Sequence, residues 1–547
     1  MLDEETVPIV VGVGRYTQPR GTPFEQALSP VAMMARTSLL AAADSGLGDG
    51  LLSARVDCVA VVQSATETRA RRAQPHGVGA ELYTNWPRAL ATAVGAAPAA
   101  ARCYQTHDGG NSSQMLVNAV SDLIAAREVR CALLSGCEVL ASLVKQIKRG
   151  EAGAAAVRAR WCERESAGGV PPPPAVRLGP TYASTAVENR HGLQVPVRIY
   201  PMLEQACRAA LGRSVPEHMA AQSAMFAGFS EVAAAQPEHA WFPRARTAAE
   251  IASPDAAGNR WVGFPYTKFH CAVMDVDQSA SVLLMSVAEA RRAGVPPEKW
   301  VFLHGCADTV EKEILKRPLL HRSPAMAVMG RELARSANVS DLPAAVQFLE
   351  IYSCFPVAVS IVARELGIEA SDGAALTLTG GLPYHGGPGS NFSMHGLVAM
   401  VPKLRARREA YGLVTANGGF LSKHAAGLYS CVPYGATHPD AARWQRPSPS
   451  VYQAELDDGP EEVVDEAPEG RGVIETYTVL HGADGLEDRA IVIGKLRASG
   501  ARFVAISRDG ATLRRMKRED VIGHSVSVSV STKGVGAFEL AVCCCKL

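Results

Sequence analysis

The sequence predicts an α/β protein built from two repeated halves, a separate domain inserted between them, and a β-rich domain at the C-terminus. Three observations carry that reading. β-branched runs alternate with Ala/Leu-rich stretches of helical length, as parallel βαβ units require. A glycine-rich loop, an asparagine, a helix and a strand ending in small residues follow one another twice in the same order. Past Val432 the helical stretches give way to short, turn-bounded runs.

Taken in order, residues 9–13 are a β-branched run closed by glycines, hence a buried strand. Ser29-Pro30 opens a helix over 31–44, with Ser as N-cap and Pro in the first turn. A strand at 56–63 follows. Gly109-Gly110-Asn111 then leads into a helix over 113–127 and a strand at 131–135. The second half repeats the sequence of events. A strand at 300–303 precedes Ser323-Pro324 and a helix over 325–336; a strand at 346–352 comes next. Gly386-Gly387-Pro388-Gly389 and Asn391 lead into a helix through Arg407, then a strand at 411–415. CALLSG at 131–136 is echoed by YGLVTA at 411–416.

Residues 140–270 break this pattern. The proline run at 171–174 reads as a stiff exposed segment, and 217–226 as a helix. After the acidic stretch 457–470, strands are expected at 475–480, 490–496, 503–506 and 525–531. The last alternates strictly between Ser and Val and so is half-buried. These strands suit a small antiparallel barrel of OB type. The domain boundaries that follow are 1–139, 140–270, 271–435 and 445–547.

Composition narrows the function. The net charge is +1, from 55 basic and 54 acidic residues, which argues against a nucleic-acid partner. No apolar run reaches membrane-spanning length. Of the 13 cysteines all but the contiguous Cys543, Cys544 and Cys545 are widely spaced, most lie in apolar runs and none forms a CxxC pair, so they read as reduced, buried thiols and no metal site is expected.

The repeated halves, the insertion and the loops at Gly110, Phe355, Pro388 and Gly418 together resemble the thiolase superfamily over roughly residues 5–435. The pattern is most similar to the sterol-carrier-type thiolases and to thiolase-like proteins with an added C-terminal domain. Pro265-Tyr266-Thr267-Lys268 and Val276-Asp277-Gln278-Ser279-Ala280 resemble the segment that re-enters the core after the thiolase loop domain. The resemblance implies a duplicated αβαβα core with two buried helices, a loop domain at 140–270 and an OB-like tail. It also implies coenzyme A as cosubstrate, with nothing bound permanently, and CoA or acyl-CoA thioesters held against the loop domain. Thiolases need a nucleophilic cysteine on the first buried helix, a second cysteine as acid/base, and a histidine in a Gly-His-Pro turn.

This sequence departs from the family at each of those places. Gly110, followed by Asn111, stands where the nucleophile would be, and neither residue can carry a thioester. Ser112 and Ser113 read as helix-capping hydroxyls. Gly387 stands in the histidine's place, with His385 two residues earlier and able to reach the pocket. Asn417 replaces the second cysteine and cannot serve as acid/base, but Gly418 and Gly419 keep the backbone N–H groups of an oxyanion site. In the remaining motif Tyr352 takes the carbonyl-orienting place, and Cys354 reads as a buried thiol rather than a nucleophile. His395 and His424 are further candidates for lining the pocket, and Tyr384 is a second tyrosine beside it. The catalytic candidates are therefore Tyr352, His385 and Asn391, and the ligand-binding candidates Asn111, Asn417, Gly418 and Gly419.

Function then divides three ways. Aldol-type carbon–carbon chemistry on an acyl-CoA needs an enolate site but no covalent intermediate. Non-catalytic binding of acyl-CoA is the alternative. Acyl transfer follows from the family class alone. The expected assembly is a monomer or a homodimer paired through the outer strand of the first half. The terminal Cys545-Lys546-Leu547 resembles a peroxisomal or glycosomal address, implying an import receptor as partner; the alternative is cytoplasmic residence.

Overall fold

The computed structural model describes residues 2–96, 102–162, 175–181 and 184–541. The proline run at 171–174 and the terminal Cys-Lys-Leu lie outside the described residues.

The first half contributes β1 (Pro8–Thr17), β2 (Cys58–Val61), β3 (Arg102–Thr106) and β4 (Cys131–Val139). The insertion supplies β5 (Val176–Leu178), two long helices (Pro196–Ala210 and Val215–Ala234), β6 (Trp261–Gly263) and β7 (Tyr266–Thr267). β8 (Asp277–Ser286) then returns to the core between β1 and β4. The second half contributes β9 (Val301–Val310), β10 (Val346–Glu350), β11 (Tyr411–Gly418) and β12 (Lys423–Ser430). Strand order is β10-β11-β12-β9-β1-β8-β4-β2-β3-β5.

The duplication is visible in the pairing. β1–β8 and β8–β4 are antiparallel and β4–β2 parallel. β9–β12 and β12–β11 are antiparallel and β11–β10 parallel. The halves meet at a narrow seam, where β1 and β9 share only the pairs Ile9↔Phe302 and Val10↔Val301. Between the halves lie two buried helices, Ser112–Ala125 and Phe392–Ala406, each touching strands of both.

Tertiary pairing moved several boundaries. β1 continues past the apolar run to Thr17 because Arg15 and Tyr16 pair with Ala280 and Ser279. β9 likewise outruns 300–303, extended by its pairing with β12. β3, β8 and β12 were not expected as strands. β8 opens on polar and small residues (Asp277 to Ser281) and β12 carries Ala425, Ala426 and Gly427, residue types of weak strand preference, yet both strands are buried along their whole length.

At the C-terminus β13 (Gly470–His481), β14 (Glu487–Leu496), β15 (Arg502–Ser507), β16 (Ser525–Val530) and β17 (Gly536–Leu540) form a barrel. It closes because β13 pairs with both β14 and β16. The expected all-antiparallel barrel is corrected at one pair. β15 and β17 run parallel at Ile506↔Ala537, because the helix Gly510–Arg518 and β16 intervene between them. Val526 and Val528 face the barrel core while Ser527 and Ser529 are exposed, the alternation the sequence carried. The barrel sheet runs on into the insertion through Leu480↔Gly263.

The outer strand of the first half is covered, though not by the barrel. β5 pairs with β3 along Tyr104↔Val176, Gln105↔Arg177 and Thr106↔Leu178. Arg177 fastens this edge by donating to the Thr106 carbonyl at 2.9 Å.

Candidate functional site

Four loops converge where the two buried helices begin. The first helix starts at Ser112 with Asn111 before it; the second starts at Phe392 with Asn391 before it. Hydroxyls tie the two starts together. Ser113 Oγ accepts from the Met394 N–H at 3.1 Å, so it caps the opposite helix rather than its own. Ser390 Oγ accepts from the Gly109 N–H at 3.1 Å and donates to Asp108 at 2.8 Å. Ser112 donates to the His107 carbonyl. Both candidate serines are thus spent on backbone.

The place of a nucleophile at Gly110 is filled. A Cβ there would stand 2.1 Å from Tyr352 Oη and 2.3 Å from the Asn417 carbonyl oxygen. Both distances are far below contact, so only glycine fits beneath the phenol. Tyr352 follows β10, anchored by its own N–H to Thr415 Oγ1 at 3.1 Å, with its ring edge-on to Phe392. Burial holds its pKa well above the ordinary tyrosine value, so the phenol is a neutral hydrogen-bond donor and not a base.

Asn391 and Asn111 have different fates. Asn391 Nδ2 donates to the Gly136 carbonyl of β4 at 2.7 Å, and its amide occupies the space a Gly136 side chain would need. Asn111 presses its Oδ1 against Gly418, 2.5 Å from where a Cβ would be, and that oxygen completes no hydrogen bond. Asn417 Nδ2 donates to Tyr200 Oη at 3.1 Å and leaves its own Oδ1 unpaired. Gly419, Phe420 and Leu421 follow in left-handed conformation at φ 57°, 65° and 57°. The strain at the two non-glycine positions is held by Arg317, which donates to the Phe420 carbonyl at 3.0 Å.

His385 is buried beside Phe392, with Nε2 3.4 Å from His395 Nδ1. Burial first, then the nearby Arg15 and His239, hold both imidazoles well below the ordinary histidine value, and His395 adds to the effect on His385. His424 faces Asn417 across β11 and β12, and burial pushes it down to about 3. Among the described residues His385 Nδ1, His395 Nε2 and both ring nitrogens of His424 meet no hydrogen-bond partner. Cys354 is a buried thiol, pushed up to about 12 and near the Asn417 amide at 3.9 Å. Tyr384 is tied to the Phe269 carbonyl at 3.0 Å.

Sequence reasoning missed three groups. Tyr200, from the insertion, stacks on Phe355 at 4.4 Å and closes the site on that side. Lys423 is buried and donates to the Asp108 carbonyl. Glu138 and Glu350 are buried carboxylates that each hold a loop. Glu138 accepts from Ser64 and from the N–H groups of Ala65 and Thr66. Glu350 accepts from Thr377 and from the N–H groups of Leu378 and Thr379. An acidic residue ending an apolar strand was the available signal for both.

This fold also occurs in known proteins. Over 99% of this chain and 100% of the other, it is 32% identical to a solved monomeric SCP2-thiolase-like protein type 1 from Mycobacterium smegmatis, with a TM-score of 0.80. The chain belongs to the SCP2-thiolase-like protein type 1 family. In keeping with that membership, the thiolase-like protein type 1 additional C-terminal domain matches residues 452–533, most of the barrel. A solved Ltp2-ChsH2(DUF35) aldolase is 16% identical over 78% of this chain and 98% of that one, at a TM-score of 0.54. An acetyl-CoA acetyltransferase from Syntrophomonas wolfei is 13% identical over 77% and 98%, at 0.50. These last two share the fold. No curated protein matches the chain.

Proposed function

We propose that this type 1 thiolase-like protein binds an acyl-CoA thioester at the junction of the four loops and breaks a carbon–carbon bond in it by aldol-type chemistry. The observation that carries this is the phenol of Tyr352, lying where the side chain of a thiolase nucleophile would begin. A neutral phenol there can donate to the oxygen of a thioester enolate and cannot form an acyl-enzyme. The retro-aldol step balances without a co-reactant. The Cα–Cβ bond of a β-hydroxyacyl thioester breaks into the enolate, the hydroxyl proton is lost as the carbonyl product forms, and a proton is returned to Cα. The unpaired oxygens of Asn111, Asn391 and Asn417 and the neutral histidines support a polar guest, since buried polar atoms without partners are costly. The aldolase among the structural neighbours agrees in fold.

The test is incubation of the purified protein with a series of β-hydroxyacyl-CoA thioesters, followed by mass spectrometry. Expected are a shortened acyl-CoA and an aldehyde or ketone, both lost in Tyr352→Phe. Acetoacetyl-CoA should give no thiolysis and no acyl-enzyme. A trapped acyl group on any residue would overturn the reading.

The second reading, binding without turnover, rests on Tyr200, which stacks on Phe355 and accepts from Asn417, so that the insertion is bonded to the fourth loop. Saturable calorimetric binding of acyl-CoA with no product would decide for it. We read the barrel as OB-type from its closing order β13-β14-β15-β17-β16, and the chain as a monomer, supported by the covered β3 edge. Peroxisomal import through Cys545-Lys546-Leu547 is a separate proposal. One residue appended after Leu547 should move a tagged protein to the cytosol.

A further inference from the structure

A cleft of about 830 Å³ opens between the insertion and the C-terminal barrel. None of Tyr352, His385, Asn391 or Asn417 lines it, so it is separate from the loop junction. One wall is the end of the helix Pro196–Ala210 and the start of Val215–Ala234. The other is the stretch from Lys517 to Ile522, where the barrel helix ends. The two walls are fastened by Arg208, 3% exposed, whose Nη2 bonds Asp520 at 2.8 Å.

The floor is a row of rings. Trp261 lies 5.7 Å from Phe264, and Phe264 stacks on Tyr477 at 6.3 Å. Lys517 Nζ stands 5.5 Å from the Trp261 ring. Tyr477 is buried, and its hydroxyl has the Gln205 side chain as its polar neighbour. The floor is thus aromatic, and polar recognition is left to the rim.

The charges at the rim are unequal. The carboxylates are engaged, Asp520 with Arg208 and Glu519 with Arg515 at 2.8 Å. Arg213 and Arg518 line the cleft, are exposed, and form no contact ion pair with any described carboxylate. An aromatic floor below uncommitted guanidinium groups suits a flat ring that carries negative charge. The ring gains stacking area and the anion gains charge-assisted hydrogen bonds. The volume is that of a small-molecule site, and a domain boundary is a usual place for one.

We propose that this cleft binds a planar aromatic anion, with its ring on Trp261 and Phe264 and its charge at Arg213 and Arg518. The site uses one wall from the insertion and one from the barrel. Occupancy adds one more tie between the barrel and the insertion, beside Leu480↔Gly263 and Arg208–Asp520.

The full-length protein is titrated with 8-anilinonaphthalene-1-sulfonate, followed by fluorescence, and the bound probe is then challenged with ADP, 2-naphthoate or decanoate. One saturable site per chain is expected, weakening as salt rises. Trp261→Ala should lower affinity about tenfold. The double change Arg213→Glu with Arg518→Glu should lower it at least about tenfold and remove the salt dependence. Both arginines are exposed, so this variant keeps the fold even if Trp261→Ala does not; near-ultraviolet circular dichroism checks both. Displacement by ADP or by 2-naphthoate identifies a nucleoside phosphate or an aryl carboxylate as the source. Equal displacement by decanoate would show that the ring is not read, and would overturn the proposal. So would absence of saturable binding, or affinity unchanged in the double arginine variant.

Discussion

The two buried helices start alike in sequence and differ in what their first residues do. In the second half Asn391 commits its amide nitrogen to the Gly136 carbonyl across the halves and leaves its oxygen unpaired. In the first half Gly110 has given its side-chain space to Tyr352, and Asn111 keeps an unsatisfied oxygen against Gly418. Both helix starts keep an unpaired asparagine oxygen, and the second also bonds across to the other half. The duplicated fold thus adds a holding duty to one copy and gives up side-chain space to Tyr352 in the other.

The largest effect is expected from restoring a thiol to the first half. Gly110→Cys should cost about 3 kcal/mol or more, because Tyr352 Oη and the Asn417 carbonyl already occupy the space. Pairing it with Tyr352→Ala should return part of that stability in urea denaturation. No recovery would mean that the Asn417 backbone alone sets the limit.

A smaller effect separates the asparagines. Asn391→Ala should cost about 1.5 kcal/mol, since it removes a buried hydrogen bond to the Gly136 carbonyl, which then keeps only Ser279 Oγ. Asn111→Ala should cost less than about 1 kcal/mol, because its oxygen has no partner to lose. Equal losses would erase the distinction between the two helix starts.

The outer edges also differ. Replacing residues 176–178 with Gly-Ser-Gly should uncover β3 with little loss of stability and give a concentration-dependent dimer in light scattering. A persistent monomer would show that β5 is not what keeps that edge unpaired.

Where the halves are alike, their variants should be alike. Burial pushes Glu138 and Glu350 each up to about 7, against hydrogen bonds that pull them down. Both start from an ordinary value of 4.5. Between that value and 7 the folded chain keeps protons that the unfolded chain releases. These two groups therefore make stability fall as pH rises through that window, and the loss is complete above it. Glu138→Gln and Glu350→Gln should flatten the slope equally in thermal melts at pH 5 and pH 7.5. This is a slope rather than a step, and the smallest effect to detect in any one buffer.

Much of this was legible in the chain. Ser29-Pro30 and Ser323-Pro324 opened helices where expected, with both serines acting as N-caps. The Ser/Val alternation at 525–530 gave its two faces correctly. What escaped was set by distance. Nothing near Gly110 announces that Tyr352 will fill its side-chain space, since the two come together only when β10 and the first buried helix meet. Tyr200 belongs to the insertion, outside every motif, and enters the site by stacking on Phe355. β12 reads as small and polar, and becomes a strand because β9 and β11 pair with both of its edges.

The placement of β1 has a consequence for how the molecule is made. Both of its neighbours, β8 and β9, lie beyond the insertion. At a ribosomal rate of about 10 residues per second, roughly half a minute passes between the emergence of β1 and that of its first partner. Through that interval an apolar strand, Ile9 to Val13, waits with both edges bare beside a growing chain. The first half cannot close its sheet alone, so β1 is translated first and docks only after the insertion has left the ribosome. Its solubility in that window depends on what shields it in the cell.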